Sequence, residues 1–213
     1  MPKKSIIVFC AHPDDDVLGA GGTMAKYAEK NYEVIVVIFS YGELAHPWLK
    51  RKFSTEMRVK EAKGAHRIVG CKRDIFLGLK EGNFPQEVKK KKIKELIQKM
   101  VKTHKPERIF THSASDPHPD HQAVHSTILD ALKNAETEIY TFDIWNPISV
   151  VKRNLPRLYV DVADTMKKKV SAIKAFKSQH KYIFYIIWAI YIKNLKAGLG
   201  NKCSFAEVFY KEK

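Results

Sequence analysis

The stretch SIIVFCAHPDDD, residues 5–16, sets the fold and begins the candidate site. Its first six residues are mostly apolar and rich in β-branched side chains, which predicts a buried parallel strand over residues 5–10. A polar turn with His12, Asp14 and Asp15 follows at once, and a helical pattern covers residues 17–30. A strand that passes through a polar loop into a helix is the repeating unit of an α/β fold.

The same alternation continues along the chain. Further strands are predicted over residues 33–40, 74–79, 107–112 and 138–143, and helices over residues 54–69, 85–104 and 120–134. This pattern predicts a three-layer α/β sandwich around a mostly parallel sheet, with strand order 3-2-1-4-5. The extra C-terminal elements are expected to be a strand over 158–162, a helix over 167–181 capped by Asp164, and a closing strand over 203–210. We expect one domain over residues 1–213.

Histidine and aspartate side chains follow two strands that this order makes neighbours. The first loop holds His12 and Asp15, and a second loop, HPDH at residues 118–121, follows the fourth strand. Ligands bind outside the carboxyl ends of such strands, where the strand order reverses. A catalytic zinc takes three protein ligands from imidazoles and carboxylates and leaves one position for water. We therefore expect His12, Asp15 and His121 to bind Zn²⁺ or another divalent metal.

The remaining polar residues of the two loops are suited to proton transfer. If Asp15 binds the metal, Asp14 points elsewhere and is free to act as general base toward water. His118 lies three residues before His121 and can donate a hydrogen bond or a proton to the substrate. Asp120 is expected to fix the orientation of an imidazole. We therefore expect Asp14, His118 and Asp120 to form the catalytic group.

Three glycines after the first loop, Gly19, Gly21 and Gly22, raise the alternative of dinucleotide binding. The fingerprint G-x-G-x-x-G needs a further glycine at position 24, where this chain has Met24. The acidic residues before the glycines would also repel a pyrophosphate. We expect the glycines to allow close packing of the helix instead.

A formal net charge of +15 raises the question of an anionic partner. The run KKKK at residues 89–92 falls in a helical pattern, which we interpret as a solvated face of the kind common in thermophile proteins. The sequence contains no nucleic-acid-binding motif, so no nucleic acid is expected as a partner. With no signal peptide and no run of about 20 apolar residues, the protein is expected in the cytoplasm.

The apolar segment from Ile183 to Ile192 (IFYIIWAIYI) is only about half of a membrane span. We expect a buried helix or a contact between copies of the chain, which would make a homo-oligomer. The alternative is a peripheral contact with a membrane or with a lipid-linked substrate.

The motifs AHPDDD at residues 11–16 and HPDH at residues 118–121 resemble the two signatures of the PIG-L/LmbE family, and the resemblance covers nearly the whole chain. Arg58 and Glu61 match the Arg-x-x-Glu helix of that family. The segment LGLKEG, residues 77–82, resembles the family segment after the third strand. Asp16, Glu81 and Phe176 stand where the family more often has Glu, Asp and His.

This resemblance implies a Rossmann-like fold and a zinc-dependent de-N-acetylase that acts on N-acetylglucosamine conjugates. It implies the same zinc ligands and the same general base as above. It further implies that His118 stabilises the tetrahedral intermediate and protonates the leaving amine, and that Arg58 and Glu81 contact the substrate. The predicted function is thus hydrolysis of the acetamide of an acetylated amino sugar. Two alternatives are a metal-dependent deacylase for a lipid-linked or modified sugar and a basic binding module without catalysis.

Overall fold

The computed structural model describes residues 4–144 and 154–213, with the backbone alone for residues 181–184. In these ranges seven strands form one sheet: β1 (Ser5–Cys10), β2 (Glu33–Ile38), β3 (Arg73–Phe76), β4 (Arg108–His112), β5 (Glu138–Phe142), β6 (Arg157–Asp161) and β7 (Ala206–Lys211). Their order is β3-β2-β1-β4-β5-β7-β6. The first five pair in parallel, whereas β7 runs antiparallel to both β5 and β6. The predicted order 3-2-1-4-5 and the α/β class are confirmed.

Helices cover both faces of the sheet: α1 (Asp15–Glu29), α2 (Arg51–Val69), α3 (Phe84–Lys90), α4 (Ile93–His104), α5 (Pro119–Ala131), α6 (Met166–Lys174) and α7 (His180–Leu199). Strand β1 shows how the layers form, because alternate side chains of a strand point to opposite faces. Its even-numbered residues pack with α1, α2, α6 and α7, and its odd-numbered residues pack with α3, α4 and α5. All six residues of β1 are buried, as expected for a strand covered on both faces.

The single helix predicted over residues 85–104 is wrong, because the chain forms α3 and α4 with a break between them. Lys92 adopts a left-handed backbone conformation, with φ of 51°. Val88 and Ile93 are both buried, and five residues of continuous helix would turn them about 140° apart. The break lets both side chains face the sheet.

The predicted helix over residues 167–181 is also wrong in its extent. Helix α6 ends at Lys174, a 3-10 turn follows over Lys177–Gln179, and α7 begins at His180. The buried ring of Phe176 lies at this turn, against Arg58. Thr165 rather than Asp164 occupies the N-cap position of α6, and its hydroxyl donates to the Gly22 carbonyl at 2.9 Å.

The glycines of α1 pack closely against neighbouring elements. A Cβ at Gly19 would lie 2.3 Å from the Phe142 ring, and a Cβ at Gly22 would lie 2.9 Å from Val162. Larger residues would therefore push α1 away from the end of β5 and the start of α6. The close packing explains the glycines without a bound nucleotide.

The topology positions the two polar loops. Strands β1 and β4 pair directly in parallel, so the loops that leave their carboxyl ends lie side by side. The first loop leads into α1 and the second into α5. Among the described residues, no helix combines the length and the apolar character needed to cross a membrane.

Candidate active site

The loop between β1 and α1 folds back on itself through Asp15. The His12 backbone N–H donates to Asp15 Oδ2 at 2.8 Å, and His12 Nδ1 lies 3.2 Å from the same oxygen. Asp15 and Asp16 lie in the first turn of α1, where the helix dipole favours negative charge. The turn therefore holds one imidazole and one carboxylate at a single point.

The loop between β4 and α5 brings a second imidazole to that point. His118 is the N-cap of α5, and its Nδ1 accepts from the Asp120 backbone N–H at 3.2 Å. One helical turn further, the fully buried His121 places Nε2 at 3.3 Å from Asp15 Oδ2. Asp120 Oδ2 lies 3.4 Å from His12 Nε2. The three residues predicted as metal ligands, His12, Asp15 and His121, thus lie together.

Two neighbouring residues, His112 and Asp116, were absent from the sequence prediction. His112 stacks on His121 with ring centroids 3.8 Å apart, and its Nε2 accepts from the Ala11 N–H at 3.0 Å. Burial and then the charge of His121 lower the pKa of His112 to about 4, so its ring is neutral. Through this hydrogen bond at Nε2, His112 supports the loop after β1. Its place as the last residue of β4 was the available signal.

Asp116 fixes the orientation of His121. Its Oδ1 lies 3.0 Å from His121 Nδ1 and accepts from the His118 N–H at 3.1 Å. Its Oδ2 accepts from the Ile144 N–H at 3.1 Å. The contact at Nδ1 leaves His121 Nε2 directed toward Asp15, which is the arrangement that metal-binding imidazoles usually have. Asp120, predicted to orient an imidazole, lies beside His12, and its two oxygens accept from the Gly82 N–H.

The charges of the cluster fit a divalent cation. Burial acts to lower the pKa of both His12 and His121, but the surrounding carboxylates, Asp15 foremost, together outweigh it and raise these pKa values to about 10 and about 9. Burial would raise the pKa of Asp15, yet His121, His12 and His112 hold it well below its ordinary value. The buried carboxylates therefore favour positive charge between these rings. One ligand atom from each of His12, Asp15 and His121 lies within 4.8 Å of the others, and two imidazoles with one carboxylate suit a catalytic zinc.

A pocket of about 450 Å³ opens over this cluster. All the predicted site residues except the buried His121 line it. Its apolar lining includes Leu18, Leu44 and Ile186. The pocket is of the size that holds a small ligand. It joins the loops after β1 and β4 to the loop after β2 and to the start of α7.

Arg58, from α2, reaches the pocket beside Asp14. Its Nη2 lies 3.0 Å from Asp14 Oδ1, and its guanidinium lies over the Phe176 ring at 5.6 Å from the centroid. Arg58 is almost completely buried, whereas the Asp14 side chain is partly exposed. The arginine thus holds Asp14 away from Asp15 and in contact with the pocket.

Glu81 forms an acidic wall of the pocket, and Glu43, which the sequence prediction missed, contacts its backbone. Glu81 accepts from the Leu44 N–H at 3.2 Å and from the Ser40 hydroxyl at 3.3 Å. Glu43 accepts from the Glu81 N–H at 3.4 Å. Burial, with a further contribution from Glu43, raises the pKa of Glu81 despite the charge of His12. Such a wall offers hydrogen-bond acceptors to a ligand that carries hydroxyl groups.

Asp16 does not face the pocket. It is fully buried, and its Oδ2 lies 3.0 Å from His66 Nε2 on α2. His66 Nδ1 lies 4.0 Å from Asp74 Oδ2. The third aspartate of the motif thus joins α1 to α2, while the two before it serve the site.

Taken with the sheet topology, this geometry defines an α/β enzyme with a site fit for a divalent metal. The chain belongs to the PIG-L family, whose model, described as GlcNAc-PI de-N-acetylase, matches residues 7–132. The predicted family and the predicted enzyme class, a deacetylase, are confirmed.

Relatives in this family carry names for two kinds of reaction. The chain is 25% identical to a probable N-acetyl-alpha-D-glucosaminyl L-malate deacetylase 2 of Bacillus anthracis, over 83% of this chain and 82% of the relative. It is 29% identical to 4-oxalmesaconate hydratase of Pseudomonas putida, over 86% of this chain and 78% of that protein. The fold matches N,N'-diacetylchitobiose deacetylase of Pyrococcus horikoshii with a TM-score of 0.78, at 21% identity, over 98% and 83% of the two chains.

Proposed function

We propose that this protein is a zinc-dependent hydrolase that removes the acetyl group from an N-acetylglucosamine conjugate. The observation that carries the proposal is the convergence of His12, Asp15 and His121 at the floor of the pocket, beside Asp14 and His118. Two imidazoles and one carboxylate would hold the metal and leave a position open to the pocket. When bound, the metal supplies a Lewis acid that polarises the acetyl carbonyl and makes water a stronger nucleophile.

Asp14 and His118, which do not bind the metal in this proposal, have complementary parts in the reaction. Asp14, held by Arg58 at 3.0 Å, would accept the proton of the attacking water. His118 Nδ1 accepts a hydrogen bond from the Asp120 N–H, so a neutral ring carries its proton on Nε2. That N–H can donate a hydrogen bond that stabilises the oxyanion. Asp14 would then pass the proton taken from water to the leaving amine, since a neutral His118 that gave up its own proton would become an imidazolate. Asp14 thus takes up and returns one proton in each turnover.

The acidic wall supports a neutral, hydroxyl-bearing substrate. Four carboxylates of the described residues line the pocket: Asp14, Asp15, Glu81 and Asp120. Among its described lining residues, Arg58 is the only lysine or arginine. Because Arg58 is already paired with Asp14, it is poorly placed to balance an anionic substrate. A sugar hydroxyl, in contrast, can donate to Glu81. Arg58 would then act mainly through Asp14, with Glu81 as the main sugar contact.

Hydration of an acid anion is the second candidate, because the relative from Pseudomonas putida is similar over most of both chains. The two reactions need opposite pocket charge, and the observed carboxylates favour the acetamide of an amino sugar. Both candidates are tested on the same protein. We expect zinc-loaded protein to release acetate from N-acetylglucosamine or its conjugates and not to hydrate 4-oxalmesaconate.

The matched variants are Asp14→Asn and, as a control, Asp164→Asn at an exposed aspartate before α6. Loss of the general base should lower acetate release by about 100-fold to 10,000-fold. Bound zinc, measured by metal analysis, should stay near one equivalent in both variants. Failure of metal-loaded wild type to release acetate from a broad panel would overturn the deacetylase. Absence of stoichiometric zinc would favour a basic binding module instead.

A further inference from the structure

Helix α7 has two faces of different character. Ile190 and Asn194 are buried on the inner face. Tyr185, Trp188, Ile192 and Leu199 are exposed by 78%, 58%, 47% and 70%. These four follow one another at intervals of three, four and seven residues, which places them on one side of a helix with 3.6 residues per turn. We call these four residues the apolar stripe of α7.

The stripe lies in a segment of one charge sign. Residues 177–206 contain five lysines and neither aspartate nor glutamate. A helix that exposes Trp, Tyr and aliphatic side chains among lysines has the composition of helices that lie in a membrane interface. Tryptophan and tyrosine rings favour the headgroup level, and lysines near a surface of anionic lipids add attraction. The charge therefore complements an anionic lipid surface.

We propose that α7 docks on the surface of an anionic lipid bilayer through the apolar stripe. A second copy of this chain fits the same face less well, because a symmetric contact would bring the two lysine-only segments together. The structure sharpens the expectation for the segment from Ile183 to Ile192. Ile190, within this segment, is buried against the rest of the protein. The exposed face of the helix continues beyond the segment to Leu199.

The helix that carries the stripe also lines the pocket of the candidate active site. Ile186 and Gln179 line that pocket, and they lie at the first turns of α7 and just before it. On the facing loop, Leu44 also lines the pocket, and Trp48 is 77% exposed. His46 Nε2 lies 3.1 Å from the Ser178 carbonyl and joins this loop to the start of α7. Docking through α7 would thus hold the mouth of the pocket near the headgroups.

Vesicle cosedimentation of the full chain tests the proposal. We expect binding to vesicles of phosphatidylcholine with phosphatidylglycerol and little binding to phosphatidylcholine alone. The Trp188→Ser/Ile192→Ser variant should bind the anionic vesicles at least about tenfold more weakly, since two large apolar side chains no longer leave water on binding. The matched control is Leu96→Ser, at an exposed leucine of α4 on the opposite face of the sheet. It should bind as the wild type does.

Several outcomes would overturn the docking surface. Wild type that does not bind anionic vesicles is one. Equal binding by Trp188→Ser/Ile192→Ser, with complete loss at high salt, would show adsorption through lysines alone. Sedimentation velocity tests a third outcome. A wild-type dimer that becomes a monomer in this variant would make the stripe an interface between copies. Acetate release from a soluble substrate is measured without vesicles, so failure of docking is distinguishable from failure of the proposed deacetylase.

Discussion

Two buried charged clusters in this molecule differ in whether their charges are matched. Glu207 on β7 accepts from Lys169 Nζ at 2.5 Å and from the N–H groups of Gly22 and Thr23 at 3.0 and 2.7 Å. One lysine balances one carboxylate, and both carboxylate oxygens have donors. Asp15, in contrast, has three imidazoles around one oxygen and faces a pocket.

The difference teaches which buried charges serve structure and which serve chemistry. A buried pair that satisfies itself needs no ligand, although removing one partner is costly. Around Asp15, protonated imidazoles supply positive charge that a metal cation could supply instead. Such a cluster can release its protons when the cation binds. The comparison assigns Lys169 and Glu207 to the packing of α1, α6 and β7, and it assigns Asp15 to the site. Each assignment can be tested by substituting one residue of the cluster.

The largest expected effect is on catalysis, from Asp15→Asn. Losing the proposed carboxylate ligand should empty the proposed metal site and lower acetate release by about 1000-fold or more, since a bound metal contributes several kcal/mol to such reactions. Metal content and turnover are measured together. The neighbouring Asp16→Asn is the matched control, because Asp16 faces His66 and not the pocket. It should keep its metal; if both variants lose metal alike, the separation of the two aspartates is wrong.

Glu207→Leu should affect stability instead. It leaves the Lys169 ammonium buried without its carboxylate, which we expect to lower the free energy of unfolding by about 3 to 5 kcal/mol. Urea denaturation measures the change, and the variant that folds should still bind metal. Lys169→Met/Glu207→Leu is the control, because replacing both charges should recover most of the loss. A double variant no more stable than Glu207→Leu would contradict the pairing.

Asp116→Asn has a smaller expected effect that concerns position rather than ligation. Without a carboxylate at Nδ1, His121 is held less firmly with Nε2 toward Asp15. Loss of such an orienting partner typically weakens metal affinity by about 10-fold to 100-fold. Chelator competition measures the affinity. Asp130→Asn, an exposed change on α5, the helix that carries His121, is the control. Unchanged metal affinity in Asp116→Asn would contradict a positioning role for Asp116.

The sequence predicted what depends on local pattern. Buried runs such as residues 5–10 and 33–40 indicated the strands, and the order 3-2-1-4-5 then placed His12 beside His121. Contacts between distant segments were not predictable in the same way. Asp116 gained its role from the geometry at His121, and the break at Lys92 followed from the need to bury both Val88 and Ile93. Periodicity reports which side chains are apolar, and it does not report which partners the tertiary structure supplies.

Cys71 supplies a last prediction, whose effect is confined to thiol reactivity, and a third case for the comparison: a half-buried thiol beside the negative charges of Asp16 and Asp74. Burial, with a smaller contribution from Asp16, raises the pKa of Cys71 to about 12. A raised pKa keeps the thiol protonated below about pH 12, and the thiolate is the reactive form. At about pH 8.5, iodoacetamide should therefore label Cys71 about 1000-fold more slowly than a free thiol. Peptide mass spectrometry measures the labelling, with urea-unfolded protein as the reference. Labelling of the folded protein at the unfolded rate would show that burial does not hold this group neutral.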